Sequence, residues 1–284
     1  MKRGFFIGDF EFIWLNGGMF ALDGGAMFGV VPKALWSRKY PANDDNTIPM
    51  AAWPLLIKTP DSLVIIETGL GNKLTEKQKK IFRVKEEWNL IAELRDLGIE
   101  REDIDHVILT HYDFDHAGGV VMREDSGSLC LTFPRAKHHI QATEWEDVMR
   151  PNIRSINTYW PVNNEILRGA PNLELVNGEA EIVRGIRVIH AGGHTKGYQI
   201  VTMESGGQYA VYPCDLLPTH AHFNPLWVMS YDNFPLDSIQ QKEDLERVHV
   251  GKGAWFVFYH DPFVPACKFD EHGNIAEKWT GEDT

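Results

Sequence analysis

Ten consecutive residues, Thr110-His111-Tyr112-Asp113-Phe114-Asp115-His116-Ala117-Gly118-Gly119, constrain this chain more than any other stretch. Two imidazoles and two carboxylates fall within six positions, directly after Val107-Ile108-Leu109. That apolar, largely β-branched run reads as a short buried strand. The polar groups therefore sit where a strand ends and a loop begins, and the Gly118-Gly119 pair is expected to let the backbone turn tightly around whatever they hold. Imidazole and carboxylate are ligand types that first-row divalent metals take, so the stretch reads as the core of a metal site.

With 284 residues the chain is long enough for a sizeable core in one large domain or two small ones. Hydrophobic residues are 43% and charged residues 24%, with no low-complexity tract and no Gly/Ser- or Pro-rich linker, which favours one domain over residues 1–284. A formal charge of -12 disfavours nucleic acid as a partner. Asp9 and Glu11 interrupt the apolar start before a signal-peptide core can form, and no stretch has the length of a membrane-spanning helix. Cys130, Cys214 and Cys267 are odd in number, widely spaced and outside any CxxC pair, so no disulfide framework is expected. The expectation is a cytoplasmic enzyme acting on a neutral or small molecule, with no nucleic-acid or membrane partner. Oligomeric state is not legible.

Along the chain, apolar runs at 10–15, 28–31, 55–57 and 63–66 between Gly, Pro and Asn-Asp punctuation predict a β-meander. A long polar and aromatic connection between Phe28 and Pro49 reads as structural filler rather than a cover over a site. The turn at Glu67 carries either an exposed acid or an acceptor behind a metal-ligating histidine. Trp88, Ile91, Leu94 and Leu97 at spacing three predict a helix over 75–98, ended by Gly98. His138 and His139 are adjacent and would diverge on a strand, so both are assigned to packing or surface. Strands are predicted at 173–178, 182–190, 207–211 and 254–259, helices at 142–149 and 237–248, and a solvated tail beyond His272.

Four strand or strand-like runs thus end in His or Asp: at 111–116, at His194 within Gly192-Gly193-His194-Thr195, at Asp215, and at His260. In a layered α/β protein, strand ends on one sheet edge lie together, so residues distant in sequence can converge. In that order, a Gly-rich turn with an acid, an H-x-[HD]-x-D-H loop, a G-H-T histidine, an aspartate and a final histidine, the chain resembles the metallo-β-lactamase-fold hydrolase superfamily from about Val64 to Asp261. The resemblance implies an α/β fold, an αβ/βα four-layer sandwich with two central mixed β-sheets and helices outside. It also implies a two-metal centre: His111, Asp113 and His194 at one site, Asp115, His116 and His260 at the other, and Asp215 bridging.

Two positions depart from that pattern. Asp113 stands where the family motif has His, and Glu67 where it usually has Asp. A carboxylate at 113 makes the first site harder and more anionic, which tilts two divalent ions, zinc foremost, toward iron or manganese. Such a centre activates water near neutral pH and polarises a carbonyl. The implied reaction is opening of a lactone or similar small ester by a metal-bridging hydroxide, with Asp115 as proton shuttle and Asp215 as the shared ligand. The looser resemblance to the lactonase branch brings an absence: the Tyr that lactonases of this branch cleaving acyl-homoserine lactones typically place just after the bridging Asp is missing here. His220, His222 and Tyr231 are the substitutes considered for holding the substrate carbonyl. Neither Cys130 nor Cys214 has a partner visible in the sequence. The alternatives are a non-haem di-iron centre that binds or reduces oxygen, suggested by Asp113, and a non-catalytic binding module of the same fold.

Overall fold

The structure, a computed structural model, describes residues 5–281. Two seven-stranded mixed sheets carry the fold. In the first the order is Phe5–Ile7, Phe10–Trp14, Leu55–Lys58, Leu63–Ile66, His106–Ile108, Lys137–Gln141 and Leu173–Val176; in the second, Glu179–Val183, Ile186–His190, Gln199–Ser205, Gln208–Tyr212, Trp255–Val257, Ala266–Phe269 and Ile275–Trp279 follow in chain order. One apolar cluster, including Phe12, Ile57, Ile66, Val201, Tyr212 and Phe258, joins the two sheets. A second, including Ile65, Val107, Leu90, Leu94 and Trp145, packs the outer face of the first sheet under its helices. This is the sandwich expected for the fold.

Strand direction decides where the chemistry goes. Leu63–Ile66, His106–Ile108 and Lys137–Gln141 run parallel, so Glu67 and His111 leave the first sheet at the same edge. Gln208–Tyr212 and Trp255–Val257 are also parallel, which puts Asp215 and His260 at one edge of the second sheet. His190 pairs with Gln199 and Val201 with Tyr212, so the loop carrying His194 opens there too. Gln199 fastens the two edges together: its backbone N–H donates to the Thr110 carbonyl at 3.0 Å and its Nε2 to the Leu109 carbonyl at 2.7 Å.

Several expectations change on contact with tertiary structure. The run at 28–31 is no strand: Gly24–Phe28 is a short helix capped by Asp23. The supposed filler between Phe28 and Pro49 holds a helix, Lys33–Trp36, and Thr47–Ala51 is a strand paired with Met19–Asp23. The 75–98 helix is two, Glu76–Ile81 and Leu90–Asp96. Between them Arg83 takes φ 51°, and the Phe82 and Glu86 carbonyls accept from the Ala21 and Met19 N–H groups of the adjoining strand. Long-range backbone pairing has overridden helical periodicity. The 182–190 run folds back on itself as Glu179–Val183 and Ile186–His190 around Gly185. The tail beyond His272 is not free, because Ile275–Trp279 pairs with Ala266–Phe269 and Trp279 stacks on Trp14 at 4.6 Å. Among the described residues no helix is long and apolar enough to cross a membrane.

His138 and His139 are both buried away from the strand-end cluster, the latter with Nε2 2.9 Å from His106 Nδ1. Burial pushes His138 down to about 4, against a weak pull from the Ala136 carbonyl. Between pH 6.5 and 4 the unfolded chain therefore binds a proton that the folded chain refuses, and stability falls as pH falls through that window. His138→Leu removes the penalty: relative to wild type it should gain about 2 kcal/mol at pH 5 over its difference at pH 8. Urea unfolding at the two pH values measures this. A pH-independent difference would show that His138 titrates in the fold as it does in the unfolded chain.

Candidate metal centre

All seven candidate ligands meet at the shared edge. His111 Nε2 and His194 Nε2 each lie 3.5 Å from Asp113 Oδ2. His116 Nε2 lies 3.7 Å from Asp115 Oδ1, His260 Nε2 3.8 Å from Asp115 Oδ2, and the two imidazoles are 3.2 Å apart. Asp215 faces both groups: Oδ2 is 3.5 Å from His194 Nε2, while Oδ1 is 3.3 Å from His116 Nε2 and 3.0 Å from His260 Nε2. The chain thus gathers two sets, His111/Asp113/His194 and Asp115/His116/His260, each close enough to share one ion.

Whether the residues fit metal ions can be tested on this geometry. Ligand atoms about 2 Å from a tetrahedral cation stand roughly 3.3 Å from one another, and the spacings above cluster around that figure. His111 Nε2 and His194 Nε2 are buried with no hydrogen-bond partner, a costly arrangement for a bare imidazole and the required one for a ligand. The opposite ring nitrogens are already committed. His260 Nδ1 donates to the Ala51 carbonyl at 2.6 Å, which fixes its proton there and leaves Nε2 a lone pair. His194 Nδ1 donates to Asp232 Oδ1 at 2.8 Å, and His111 Nδ1 lies 3.0 Å from Thr110 Oγ1. Orientation from behind in this way is what holds metal-ligating histidines in place.

The electrostatics demand positive charge at the centre. Burial alone would lift Asp113 and Asp215, yet the surrounding imidazoles outweigh it and hold both carboxyls well below the usual carboxylate range. Burial likewise opposes protonation of His116 and His194, and the carboxylates override it, raising both. Asp115 is the exception: burial raises it.

Local backbone explains the placement. Asp113 caps the one-turn helix Phe114–Ala117, which presents Asp115 and His116, so a short helix intervenes where a plain loop was expected. Gly118 has an ordinary helical φ of -58°, so tight turning is not its role. A Cβ there or at Gly119 would collide with the Leu70 or Thr68 carbonyl, and bare glycines let this loop lie against the 68–71 turn. Glu67 is fully buried behind His116, its Oε1 accepting the Thr110 N–H at 3.0 Å and its Oε2 lying 3.7 Å from His116 Nδ1. It is no exposed acid. Cys214, without a visible partner in the sequence, has Sγ 3.6 Å from the same Nδ1.

A pocket of about 200 Å³ opens over Asp113, Asp115, Asp215, His194 and His260. Leu22, Met27, Met50, Phe82, Phe114 and Met229 give it apolar walls; Arg154, Tyr231 and Asn233 give it polar ones. Tyr231 thus faces the pocket over the cluster. His220 does not: it is outside the lining, its Nδ1 tied to Asp261 Oδ2, and His222 is buried beneath Phe28 with Nε2 3.0 Å from the Met27 carbonyl. Contrary to expectation, neither histidine is placed to touch a molecule in that pocket. Sequence reading missed Asp232, Arg154 and Glu144. Glu144 is buried and accepts from Tyr112 N–H, Tyr159 Oη and Thr195 Oγ1, tying the His111 loop to the His194 loop. The one available signal was an acid on the buried face of the helix Ala142–Met149.

Two mixed sheets whose common edge gathers four imidazoles and three carboxylates define a metal-binding α/β sandwich. The family model of the metallo-beta-lactamase superfamily matches residues 48–260, and the chain belongs to that superfamily. A solved structure of a probable metal-dependent hydrolase from Staphylococcus aureus is 42% identical, with a TM-score of 0.92 over 99% of this chain and 100% of that one. A probable metallo-hydrolase of Mycobacterium bovis is 29% identical over 177 residues, 56% of this chain and 54% of its own length, so the chain spans about half of that curated relative. The structure of a dizinc quorum-quenching lactonase in complex with the product N-hexanoyl-L-homoserine shares the fold at 21% identity, with a TM-score of 0.78 over 94% of this chain and 93% of that one.

Proposed function

We propose that this chain, acting as one domain in the cytoplasm, is a dinuclear metal-dependent hydrolase that opens a lactone or similar small ester. The observation that carries the reading is Asp215, whose Oδ1 faces His116 and His260 while its Oδ2 faces His194. Zinc is the leading ion, in keeping with the dizinc lactonase of the same fold. His111, Asp113 and His194 would hold one cation and Asp115, His116 and His260 the other, with Asp215 between them. When bound, two such cations activate a water near neutral pH and polarise the carbonyl it attacks.

The chain's own groups supply the rest. The apolar walls accept the substrate's hydrocarbon part and exclude water around it. Tyr231 stays protonated because burial raises its phenol, so its O–H can donate to a substrate oxygen. Asp115 stands farther from its imidazoles, at 3.7 and 3.8 Å, than Asp215 does, at 3.0 to 3.5 Å. Burial also raises its affinity for a proton. It is the group suited to take the proton released as water oxygen bonds to the carbonyl carbon, and to return it to the alkoxide as the C–O bond breaks.

Metal-replete protein assayed against acyl lactones, aryl esters and phosphotriesters should turn over a member of the first two classes and lose that activity to a chelator. Asp113 supports a second reading, a di-iron centre handling oxygen. Oxygen uptake without any hydrolysis would replace the first reading by the second.

A further inference from the structure

Among the described residues four that are not glycine have positive φ: Asn46, Glu67, Arg83 and Cys214. Only Glu67, at 63°, and Cys214, at 44°, are buried, and they meet behind the same imidazole. Glu67 follows the strand Leu63–Ile66 of the first sheet and Cys214 the strand Gln208–Tyr212 of the second. Cys214 Sγ lies 3.6 Å from His116 Nδ1 and 3.8 Å from Glu67 Oε1. Glu67 Oε2, buried and without a hydrogen-bond partner, lies 3.7 Å from that Nδ1.

His116 therefore differs from His194 and His260. Their Nδ1 atoms donate at 2.8 and 2.6 Å to a single oxygen, whereas His116 Nδ1 is flanked by a carboxylate oxygen and a sulfur at longer range. A glycine at 214 would adopt φ 44° without strain, so the strained backbone is maintained for the sake of the side chain. Sulfur suits the gap: its larger radius and longer bond to carbon make 3.6 to 3.8 Å a contact, where a hydroxyl would leave space. A thiol can donate weakly to Glu67 Oε1 while accepting weakly from Nδ1–H.

We infer that Cys214 is a positioning residue: its thiol, together with Glu67 Oε2, holds the His116 ring with Nδ1 protonated and Nε2 aimed at Asp215 and His260. The inference rests on the reading that His116 holds a cation. Support from behind of this kind is worth roughly 10- to 100-fold in metal affinity.

The test strips the full-length protein of metal and titrates zinc against a chromophoric chelator, for wild type, Cys214→Ala, Cys214→Gly and Cys214→Ser, with ¹⁵N-histidine NMR reporting the tautomer of His116. Cys214→Ala should weaken one of the two cations roughly 10- to 100-fold while the other is held as before. Cys214→Gly should show the same loss although its metal-free form, freed of backbone strain, melts no lower than that of Cys214→Ala. Cys214→Ser should recover part of the affinity. Tight binding of both cations by the Ala and Gly variants, with an unchanged His116 tautomer, overturns the inference and leaves the thiol as packing. Wild type that takes up no cation pair overturns the metal-centre reading itself.

Discussion

Asp215→Asn should weaken both cations together, each by at least about 100-fold, and lower kcat/KM roughly 10³-fold or more. The reason is geometric. Asp215 is the one carboxylate that faces both imidazole groups, so its loss cannot be confined to one site, as loss of His111 or His260 can. Asparagine keeps the shape and one acceptor oxygen but removes a charge, leaving two carboxylates rather than three to hold two divalent ions. A 100-fold weaker ion at saturating concentration withdraws about 2.7 kcal/mol of stabilisation per site. Thermal unfolding with and without zinc, alongside metal analysis after gel filtration, reads both effects. A variant that keeps one cation at wild-type affinity would assign Asp215 to a single site.

The centre was more legible than the fold around it. Its residues are marked by chemistry that survives without coordinates: polar ligand types at strand ends are rare, and the order in which they recur is specific. His111, Asp113, Asp115, His116, His194, Asp215 and His260 all converge as the strand-end pattern requires. What supports them is not marked this way. Asp232 comes from a loop with no pattern of its own, yet it fixes His194 at 2.8 Å. Glu144 looks like any helical acid until the fold brings Tyr159 and Thr195 to it. His220 and His222 failed in the opposite direction, since proximity to Asp215 in the chain is no guide to which side of a 3₁₀ turn faces the pocket. The 75–98 segment misled because its periodicity was real, while the carbonyls of Phe82 and Glu86 were needed by the strand Met19–Asp23.

Asp113 is where substitution should change which metal is bound rather than how much. Its carboxylate, 22% exposed and lining the pocket, has Oδ2 3.5 Å from both His111 Nε2 and His194 Nε2. With Asp115 and Asp215 it would set three negative charges against the four positive charges of two bound divalent ions. An imidazole in its place would make that donor set softer and less anionic, which favours zinc over iron or manganese. There is room for the exchange. Asp113 caps its helix through backbone geometry alone, with no side-chain bond to lose, and it faces a pocket of about 200 Å³. The neighbouring Phe114 is held independently, stacked on Phe82 at 4.2 Å and on Trp160 at 5.3 Å. Asp113→His should therefore fold normally and, when metals compete at equal concentration, shift occupancy toward zinc. Asp113→Ala should bind one cation per chain instead of two, because His111 and His194 are left as a two-imidazole set with only the shared Asp215 to complete it. Elemental analysis of both variants decides the matter. Two cations per chain in Asp113→Ala would remove Asp113 from the ligand set, and unchanged metal preference in Asp113→His would show that its charge does not select the ion.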